Sequence, residues 1–329
     1  MAFLGGSITW GATATDPLKT SWRALVTQYF EKRFPKAHFT GIDAAIGGTP
    51  SELAVFRMDR DVLPYKPDLT FVEFCVNDGA KPTSQETMEG IVRKLHKSNP
   101  RMAVVLVIIG AGYDYRGQGN REQHIALAEY YGLPYVDVCG VMEWKVRAGL
   151  DIRTILHDGC HPNDMGYRLY ADIIIRGLNR MAAGIPRALS WPRKPLTANR
   201  YESAAMIEMS KIGDLGGWVP AAPAVVGTWF DHQPSRWLSS AVAPKKNKAE
   251  LVLEANCRGV GLYYETVSGG GSVVLEADGR VVLNVSTAME MPEARVGYSW
   301  VMFEKKKKRR FCLLACQREK TKVAYLFTV

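Results

Sequence analysis

Ser7, Asp158 and His161 are the residues whose types and spacing best suit nucleophilic chemistry in this sequence. Ser7 follows two glycines, which permit a tight turn that exposes the serine, and Asp158 stands three residues before His161. A serine hydroxyl is a weak nucleophile until a base such as histidine takes its proton, and a carboxylate can orient that histidine. These three residues could therefore form an activated nucleophile.

Two further segments contain hydrogen-bond donors that such a nucleophile would need. The pair Gly47-Gly48 lets the backbone approach a ligand closely, and Asn77 offers a side-chain amide. Together with the N–H of Ser7, these donors could stabilise the negative charge on a carbonyl oxygen under attack. Each segment alone also has an ordinary structural explanation, such as a turn or a helix-start loop, because short motifs match by chance.

The pattern of apolar residues predicts the elements that would bring these segments together. In residues 1–185 the predicted strands are 2–4, 38–46, 69–76, 103–109 and 135–138, and the predicted helices are 21–34, 51–63, 84–97, 121–131 and 164–181. Largely apolar strands between amphipathic helices indicate an α/β fold with a doubly wound parallel sheet covered on both faces. Ligands bind such sheets at the carboxyl ends of the strands, which is where the polar segments stand.

Residues 186–329 have a different pattern and predict a linker followed by a smaller antiparallel β-sandwich domain. Several prolines interrupt the stretch that begins at Pro186. The predicted strands after it are 249–255, 259–266, 272–277, 281–285, 298–303, 311–316 and 323–327. Ser268-Gly269-Gly270-Gly271 predicts a flexible turn, and Asp278-Gly279 is a strong signal for a two-residue hairpin.

The formal net charge of +9 is concentrated in the last 30 residues, since residues 300–329 hold nine Lys and Arg against two Glu. Nucleic-acid binding requires a basic face built across a fold, so this distribution predicts no nucleic-acid partner. The basic run Lys305–Arg310 lies between two apolar segments. It predicts a solvated hairpin tip, with a site for an acidic polymer as the alternative.

The four polar segments resemble the sequence blocks of the SGNH (GDSL-like) hydrolases, in particular carbohydrate acetyl-esterase-like members with an appended β-domain. Over about residues 1–185 the blocks match, in the family's order, Gly5-Gly6-Ser7-Ile8-Thr9, Ala45-Ile46-Gly47-Gly48, Val76-Asn77-Asp78 and Asp158-Gly159-Cys160-His161-Pro162. Gly6 stands where the family often has Asp, and Val76 stands where it often has Gly. Neither change affects a reacting group. The resemblance implies a flavodoxin-like sheet order and a serine esterase.

The resemblance also implies a role for each matching residue. Ser7 would attack the ester carbonyl, His161 would act first as general base and then as general acid, and Asp158 would orient the imidazole. The oxyanion would be bound by the N–H groups of Ser7 and Gly48 and by the side-chain amide of Asn77. This chemistry requires no metal and no other cofactor, and the six cysteines form no CxxC pair that would indicate zinc.

The resemblance suggests which ester is hydrolysed. Esterases similar to this chain, with a GGSIT nucleophile loop and a β-domain, often remove acetyl groups from carbohydrates. The sequence contains no long apolar segment that would form a lid, which argues against long-chain lipids as substrates. We therefore expect a small-molecule or glycan ester as substrate, in particular a carbohydrate O-acetyl ester. Lipase, thioesterase or lysophospholipase activity on the same triad is one alternative. Non-catalytic glycan binding by a degenerate hydrolase domain is another, although the intact reactive residues count against it.

Aromatic and polar residues in two regions are candidates for contact with a sugar. Near the predicted site they are Trp10, Tyr113, Tyr115 and Arg116, with ordinary loop packing as the alternative. In the second domain they are Trp218, Trp229, His232, Arg236 and Trp237, with packing between domains as the alternative. An aromatic face beside a polar group suits a sugar ring, so both sets are hypotheses for substrate binding.

The sequence also bears on location. No apolar run approaches the ~20 residues that span a bilayer, so no membrane span is predicted. The apolar start, Met1 to Leu4, is shorter than the core of about 7–15 residues in a signal peptide. We expect no signal peptide in this chain and a cytoplasmic location by default, unless a longer N-terminal segment has been removed.

Overall fold

The chain folds into two compact units, Met1–Glu202 and Ser203–Val329. The computed structural model describes residues 1–111, 115, 119–184, 191–192, 194–225, 237–291, 294–316 and 320–329. The domain boundary predicted between residues 185 and 186 lies outside these residues.

A five-stranded parallel sheet forms the centre of the first unit. Its strands are β1 (Ala2–Gly5), β2 (Ile42–Ala45), β3 (Leu69–Glu73), β4 (Ala103–Ile108) and β5 (Tyr135–Asp137). Their order in the sheet is β2-β1-β3-β4-β5, and every neighbouring pair is parallel. The doubly wound, flavodoxin-like α/β fold predicted from the sequence is confirmed, and β1, β2 and β3 end side by side at one sheet edge.

The described residues of this unit contain seven α-helices, of which the first five lie between the strands and the last two follow β5. They are α1 (Ser7–Trp10), α2 (Trp22–Arg33), α3 (Ser51–Asp61), α4 (Pro82–Ser98), α5 (Gly119–Tyr131), α6 (Val138–Arg147) and α7 (Asp164–Ala182). Phe3 of β1 stacks on Phe71 of β3 with 5.2 Å between ring centroids, and Trp22 of α2 packs edge-on against both rings. This buried aromatic cluster fixes the strand that precedes Ser7 within the sheet.

Helix α6 was not predicted, because Val138 and Cys139 continue the apolar pattern of β5 and Gly140 is a weak helix former. Asp137 begins the helix: its side chain accepts a hydrogen bond from the N–H of Gly140 at 2.9 Å. The same carboxylate pairs with Arg121 of α5. The helix start therefore depends on a partner that is distant in sequence.

Residues 194–202 belong to the first unit because buried carboxylates of α4 bind them. Glu89 accepts hydrogen bonds from the N–H groups of Leu196 and Thr197 at 2.6 and 2.8 Å. Glu86 forms a bidentate ion pair with Arg200. Both carboxylates are buried, so these charge-assisted bonds compensate for their lost hydration.

The second unit is a curled antiparallel sheet built on its own core. Its strands are β6 (Ala205–Glu208), β7 (Trp218–Ala221), β8 (Ala241–Pro244), β9 (Glu250–Thr266), β10 (Ser272–Ala277), β11 (Arg280–Ser286), β12 (Arg295–Ala315) and β13 (Val323–Thr328). The order is β11-β10-β12-β9-β13-β8-β7, and β6 pairs with β13. The two long strands β9 and β12 pair with each other at the centre of this order, and one apolar cluster contains residues of every strand from β7 to β13. The predicted antiparallel β-domain is confirmed.

The hairpin predicted at Asp278-Gly279 connects β10 and β11. Ala277 pairs with Arg280, and the two turn residues have φ values of 52° and 77°. Positive φ at both central positions defines the turn whose twist matches the flanking strands. Here the local sequence alone specified the structure.

The prediction that Lys305–Arg310 forms a hairpin tip was wrong. The run lies inside β12, where Lys307 and Arg310 pair with Cys257 and Glu254 of β9 after a register shift. Arg309 explains this continuity: it is only 7% exposed, and its guanidinium donates to the carbonyls of Lys305 and Cys257 at 3.0 and 2.8 Å. The buried guanidinium thus stabilises the irregular segment of β12 at the register shift by binding carbonyls on both strands.

We expect Arg309→Ala to destabilise the second unit by about 1–3 kcal/mol, because buried carbonyls would lose their donor. The substitution would also remove the guanidinium from the face of Phe303, where it lies 3.9 Å from the ring centroid. Thermal unfolding followed by circular dichroism measures the effect. Arg310→Ala, at the adjacent exposed position, is the matched control and should change stability by less than about 0.5 kcal/mol. Equal effects of the two substitutions would contradict this role of Arg309.

The part of the chain that the structure describes contains neither a candidate membrane-spanning helix nor a candidate metal site. None of its helices is both long enough and apolar enough to cross a bilayer. No group of three or more His, Cys, Asp or Glu side chains in these same ranges is arranged to hold a metal ion.

Candidate active site

Ser7 lies on a tight turn at the carboxyl end of β1. The strand ends at Gly5, and α1 begins at Ser7 itself, which is only 4% exposed. Gly6 packs against the side chain of Asn77, and a Cβ at this position would overlap Oδ1 of the amide. The glycine therefore allows the nucleophile turn and the Asn77 loop to approach each other closely.

The side chains of Ser7, His161 and Asp158 form a continuous hydrogen-bonded chain. Nε2 of His161 lies 2.8 Å from Oγ of Ser7, and Nδ1 lies 2.8 Å from Oδ2 of Asp158. When Nδ1 carries the proton and donates to the carboxylate, Nε2 can accept the hydroxyl proton of Ser7. The three residues that the sequence singled out are thus brought together in hydrogen-bonding order.

Asp158 is held in its ionised form by local hydrogen bonds. Burial alone would raise the pKa of Asp158, but hydrogen bonds from the His161 ring and from the N–H groups of His161 and Cys160 lower it below its usual value. The two N–H groups donate to Oδ1 at 2.6 and 2.7 Å. An ionised carboxylate at this position can orient the imidazole and stabilise its positive charge.

The segment that carries Asp158 and His161 is fixed by the start of α7. Asn163 caps the helix by accepting from the N–H of Gly166 at 3.0 Å. The hydroxyl of the buried Tyr167 then donates to the carbonyl of Ala12 at 2.8 Å, and Thr13 donates to the carbonyl of Pro162 at 2.8 Å. These bonds join the segment after the nucleophile turn to the histidine loop.

Gly48 has a backbone conformation that favours glycine, with φ of 69°. It follows β2, and the N–H of Ile46 donates to the carbonyl of Gly5 at 3.1 Å, so this loop lies beside the nucleophile turn. The N–H of Gly48 has no backbone acceptor within the described ranges. This position suits its predicted part in an oxyanion hole.

Asn77 belongs to a loop that buried polar residues hold from behind. The carboxylate of Asp78 accepts from the N–H of Ser51 at 2.8 Å and lies 3.1 Å from Nε2 of His124. The amide of Asn120 donates to the carbonyl of Asp78 at 2.6 Å. Because Ser51 begins α3, three residues after Gly48, Asp78 links the loops of two predicted oxyanion donors.

The residues near the site that were predicted to contact a sugar differ in their exposure to solvent. Trp10 is partly exposed, whereas Tyr115 is 2% exposed and its hydroxyl bonds to that of Tyr170 within the core. Tyr115 offers no free face to a ligand, so it fits the packing alternative. Tyr113 and Arg116 lie outside the described residues.

The described tryptophans of the second unit that were predicted to contact a sugar are buried. Trp218 is 1% exposed and belongs to the core of the β-sheet, and Trp237 is also buried. Both tryptophans therefore pack internally rather than present a binding face. Trp229, His232 and Arg236 lie outside the described residues.

Several residues that build the site were missed by sequence reasoning. Asn120 and His124 carry no local signal, because they stand on an ordinary amphipathic helix. Tyr167 is equally inconspicuous. Glu73 does carry a signal, since a carboxylate inside the apolar segment Thr70–Val76 is unusual in a buried strand.

Comparison with known proteins supports a family assignment. Residues 3–169 match the model of the GDSL-like Lipase/Acylhydrolase family. No curated protein matches the chain. Among solved structures, a two-domain esterase (CEX) active on acetylated mannans is 25% identical and has a TM-score of 0.80, covering 100% of this chain and 90% of its own. A second structure of that description, co-crystallized with mannopentaose, is 25% identical with a TM-score of 0.78, covering 100% and 89%.

The family match spans half of the sequence and contains every segment that forms the site. The fold, the order of the loops and the matched residues agree. The chain therefore belongs to the GDSL-like lipase/acylhydrolase family of ester hydrolases, as its sequence blocks predicted.

Proposed function

We propose that this protein is a serine esterase that removes O-acetyl groups from a carbohydrate through an acyl-enzyme on Ser7. The observation that carries the proposal is the chain of two 2.8 Å hydrogen bonds from Ser7 through His161 to Asp158. Such a chain activates a serine toward a carbonyl carbon.

The first half-reaction transfers the acetyl group to the enzyme. Oγ of Ser7 attacks the ester carbon while Nε2 of His161 takes the hydroxyl proton, and the carbonyl oxygen becomes an oxyanion. The N–H groups of Ser7 and Gly48 and the amide of Asn77 stabilise that charge. The bond between the carbonyl carbon and the sugar oxygen then breaks, and His161 gives its proton to the leaving oxygen.

The second half-reaction releases acetate. Water attacks the acetyl-serine as His161 takes one of its protons, which produces a second oxyanion in the same position. The bond between the carbonyl carbon and Oγ then breaks, and His161 returns the proton to Ser7. Asp158 keeps the imidazole oriented in both steps, and its lowered pKa keeps it ionised.

The choice of substrate is supported by the similar structures. A protein 25% identical to this chain, and similar over its whole length, is described as active on acetylated mannans. Acetylated mannan is therefore the first polysaccharide to test, with acetylated xylan as the comparison. The partly exposed Trp10 stands three residues after the nucleophile and is our candidate for contact with a sugar ring.

Acetate release from acetylated mannan, acetylated xylan and 4-nitrophenyl esters of increasing acyl length tests this proposal. We expect Ser7-dependent release of acetate from at least one polysaccharide, and a kcat/KM that falls as the acyl chain lengthens. Trp10→Ala should raise KM for the polysaccharide more than KM for 4-nitrophenyl acetate.

Two different results would contradict the proposed function, and each would favour a different alternative. A preference for long acyl chains or for thioesters would replace the proposal by lipase, lysophospholipase or thioesterase activity. Polysaccharide binding without Ser7-dependent hydrolysis of any ester would favour a non-catalytic protein instead.

A further inference from the structure

Glu73 is a buried carboxyl group beside the nucleophile turn, and the proposed mechanism does not use it. It is the last residue of β3, stands in register with Gly5 of β1 and is only 1% exposed. Burying a carboxyl group here is costly, because an ionised carboxylate loses its hydration. A position with this cost, at the end of the strand that neighbours β1, calls for a physical reason.

The groups around Glu73 are hydrogen-bond donors from two functional loops. Oε2 accepts a hydrogen bond from the hydroxyl of Thr9 at 2.8 Å. The N–H groups of Gly6 and Val76 also face the carboxyl and lower its pKa, although no hydrogen bond of good geometry reaches Oε1. Gly6 and Thr9 flank the nucleophile, and Val76 precedes Asn77.

Convergent donors favour the ionised form of Glu73. A carboxylate can accept from the Thr9 hydroxyl and from both N–H groups, and charge-assisted bonds of this kind are about twice as strong as neutral ones. A protonated carboxyl would instead introduce a further hydrogen among groups that are themselves donors. Ionised Glu73 therefore attracts the nucleophile turn and the Asn77 loop toward one point.

We propose that Glu73 is a positioning residue whose carboxylate fixes the nucleophile turn relative to the Asn77 loop, so that attack and oxyanion stabilisation occur in the correct geometry. This inference rests on the proposed function. A displacement of about 1 Å at reacting groups can cost about 100-fold in rate, so a small relaxation of either loop would be measurable.

The titration of Glu73 falls near neutral pH. Burial raises its pKa to about 7, the hydrogen bond from Thr9 lowers it, and the charge of Asp78 raises it. Cys75, Cys160 and Tyr167 also face Glu73, but burial raises the pKa of each, so they stay neutral in this range. Asp78 is therefore the charged neighbour to consider in a pH experiment.

Activity and stability should respond to pH in opposite directions. The folded-state pKa of Glu73 lies above its ordinary value of 4.5, so its neutral form favours folding. That contribution is fully present below about pH 4.5 and is lost as the pH rises through about 7. Positioning by the carboxylate increases over the same interval, so the form that folding disfavours is the form that catalysis needs.

Glu73→Gln tests the inference, with 4-nitrophenyl acetate as substrate. We expect kcat to fall by up to about 100-fold with little change in KM, because Glu73 does not touch substrate. The acid limb of log kcat against pH should become less steep than in the wild type, because the loss of a proton from Glu73 no longer contributes to it. At pH 8 the melting temperature should equal or exceed that of the wild type, since a buried charge is removed.

Thr9→Val removes the hydroxyl that Glu73 accepts from and should lower kcat in the same way. The double variant Thr9→Val/Glu73→Gln should be no worse than the more severe single variant, because both act through one contact. Glu89→Gln is the matched control: Glu89, on α4, is as buried as Glu73 but binds the N–H groups of Leu196 and Thr197. It should lower the melting temperature and leave kcat unchanged.

The outcomes separate this inference from the proposed function. An active, Ser7-dependent wild type beside a Glu73→Gln variant with unchanged kcat and an unchanged acid limb would overturn the inference alone. Parallel losses of activity and stability at pH 8 would also overturn it, because they would indicate a purely structural role. Absence of Ser7-dependent turnover in the wild type would overturn both proposals.

Discussion

Ser7→Ala should lower kcat for ester hydrolysis by a factor of about 10⁴ or more, leaving only what the oxyanion donors and substrate binding contribute. The reason is geometric, since Oγ of Ser7 lies 2.8 Å from Nε2 of His161, the proposed base. Initial rates with 4-nitrophenyl acetate, together with acetate release from polysaccharide, measure the loss.

Two further variants make this result specific. Ser98→Ala removes a hydroxyl at the end of α4 that donates to the nearby carbonyl of Leu95, and it should leave kcat unchanged. Ser7→Ala/His161→Ala should be no slower than Ser7→Ala, because the two residues act as a unit. Hydrolysis by Ser7→Ala at more than about one tenth of the wild-type rate would contradict a nucleophilic role.

Asn77→Ala should lower kcat by about 10²–10³ while KM changes little, because an oxyanion donor acts on the transition state rather than on the bound ester. The buried supports of its loop, Asp78 and Asn120, keep the amide in place before substrate binds. Steady-state kinetics with a small acetyl ester separate kcat from KM.

Gly6→Ala provides an independent test of the same donor. Its new Cβ would overlap Oδ1 of Asn77 and displace the amide, so kcat should fall although Asn77 is intact. Asn99→Ala is the control for amide removal, since Asn99 lies at the end of α4 and its side chain accepts a hydrogen bond from the N–H of Arg101. A rise in KM without loss of kcat in Asn77→Ala would show that this side chain binds ground-state substrate instead.

The candidate site was predictable because each of its residues stands directly after a predicted strand or before a predicted helix. A parallel sheet places the carboxyl ends of its strands at one edge, so Ser7, Gly48 and Asn77 had to converge once the strand order was known. Strand-to-loop punctuation by glycine and asparagine is a local property of the chain. No distant contact had to be inferred for this part of the structure.

Other features were hidden because they depend on contacts between residues far apart in sequence. The basic run of β12 resembles a hairpin tip until Arg309 is seen to bind the carbonyl of Cys257, 52 residues away. Tyr115 resembles an exposed loop aromatic until its hydroxyl meets Tyr170. Sequence pattern gives the period of burial, but it does not give the partner that a polar group finds in the folded chain.

Covalent labelling of Ser7 tests the central claim most directly. The wild type would be treated with diisopropyl fluorophosphate, which phosphorylates activated serines, and examined by intact-mass and peptide mass spectrometry. We predict one adduct per chain, located on the peptide that contains Ser7, with loss of esterase activity in proportion to labelling and no adduct in Ser7→Ala. Full labelling at another serine, or full activity after Ser7 is modified, would contradict the account.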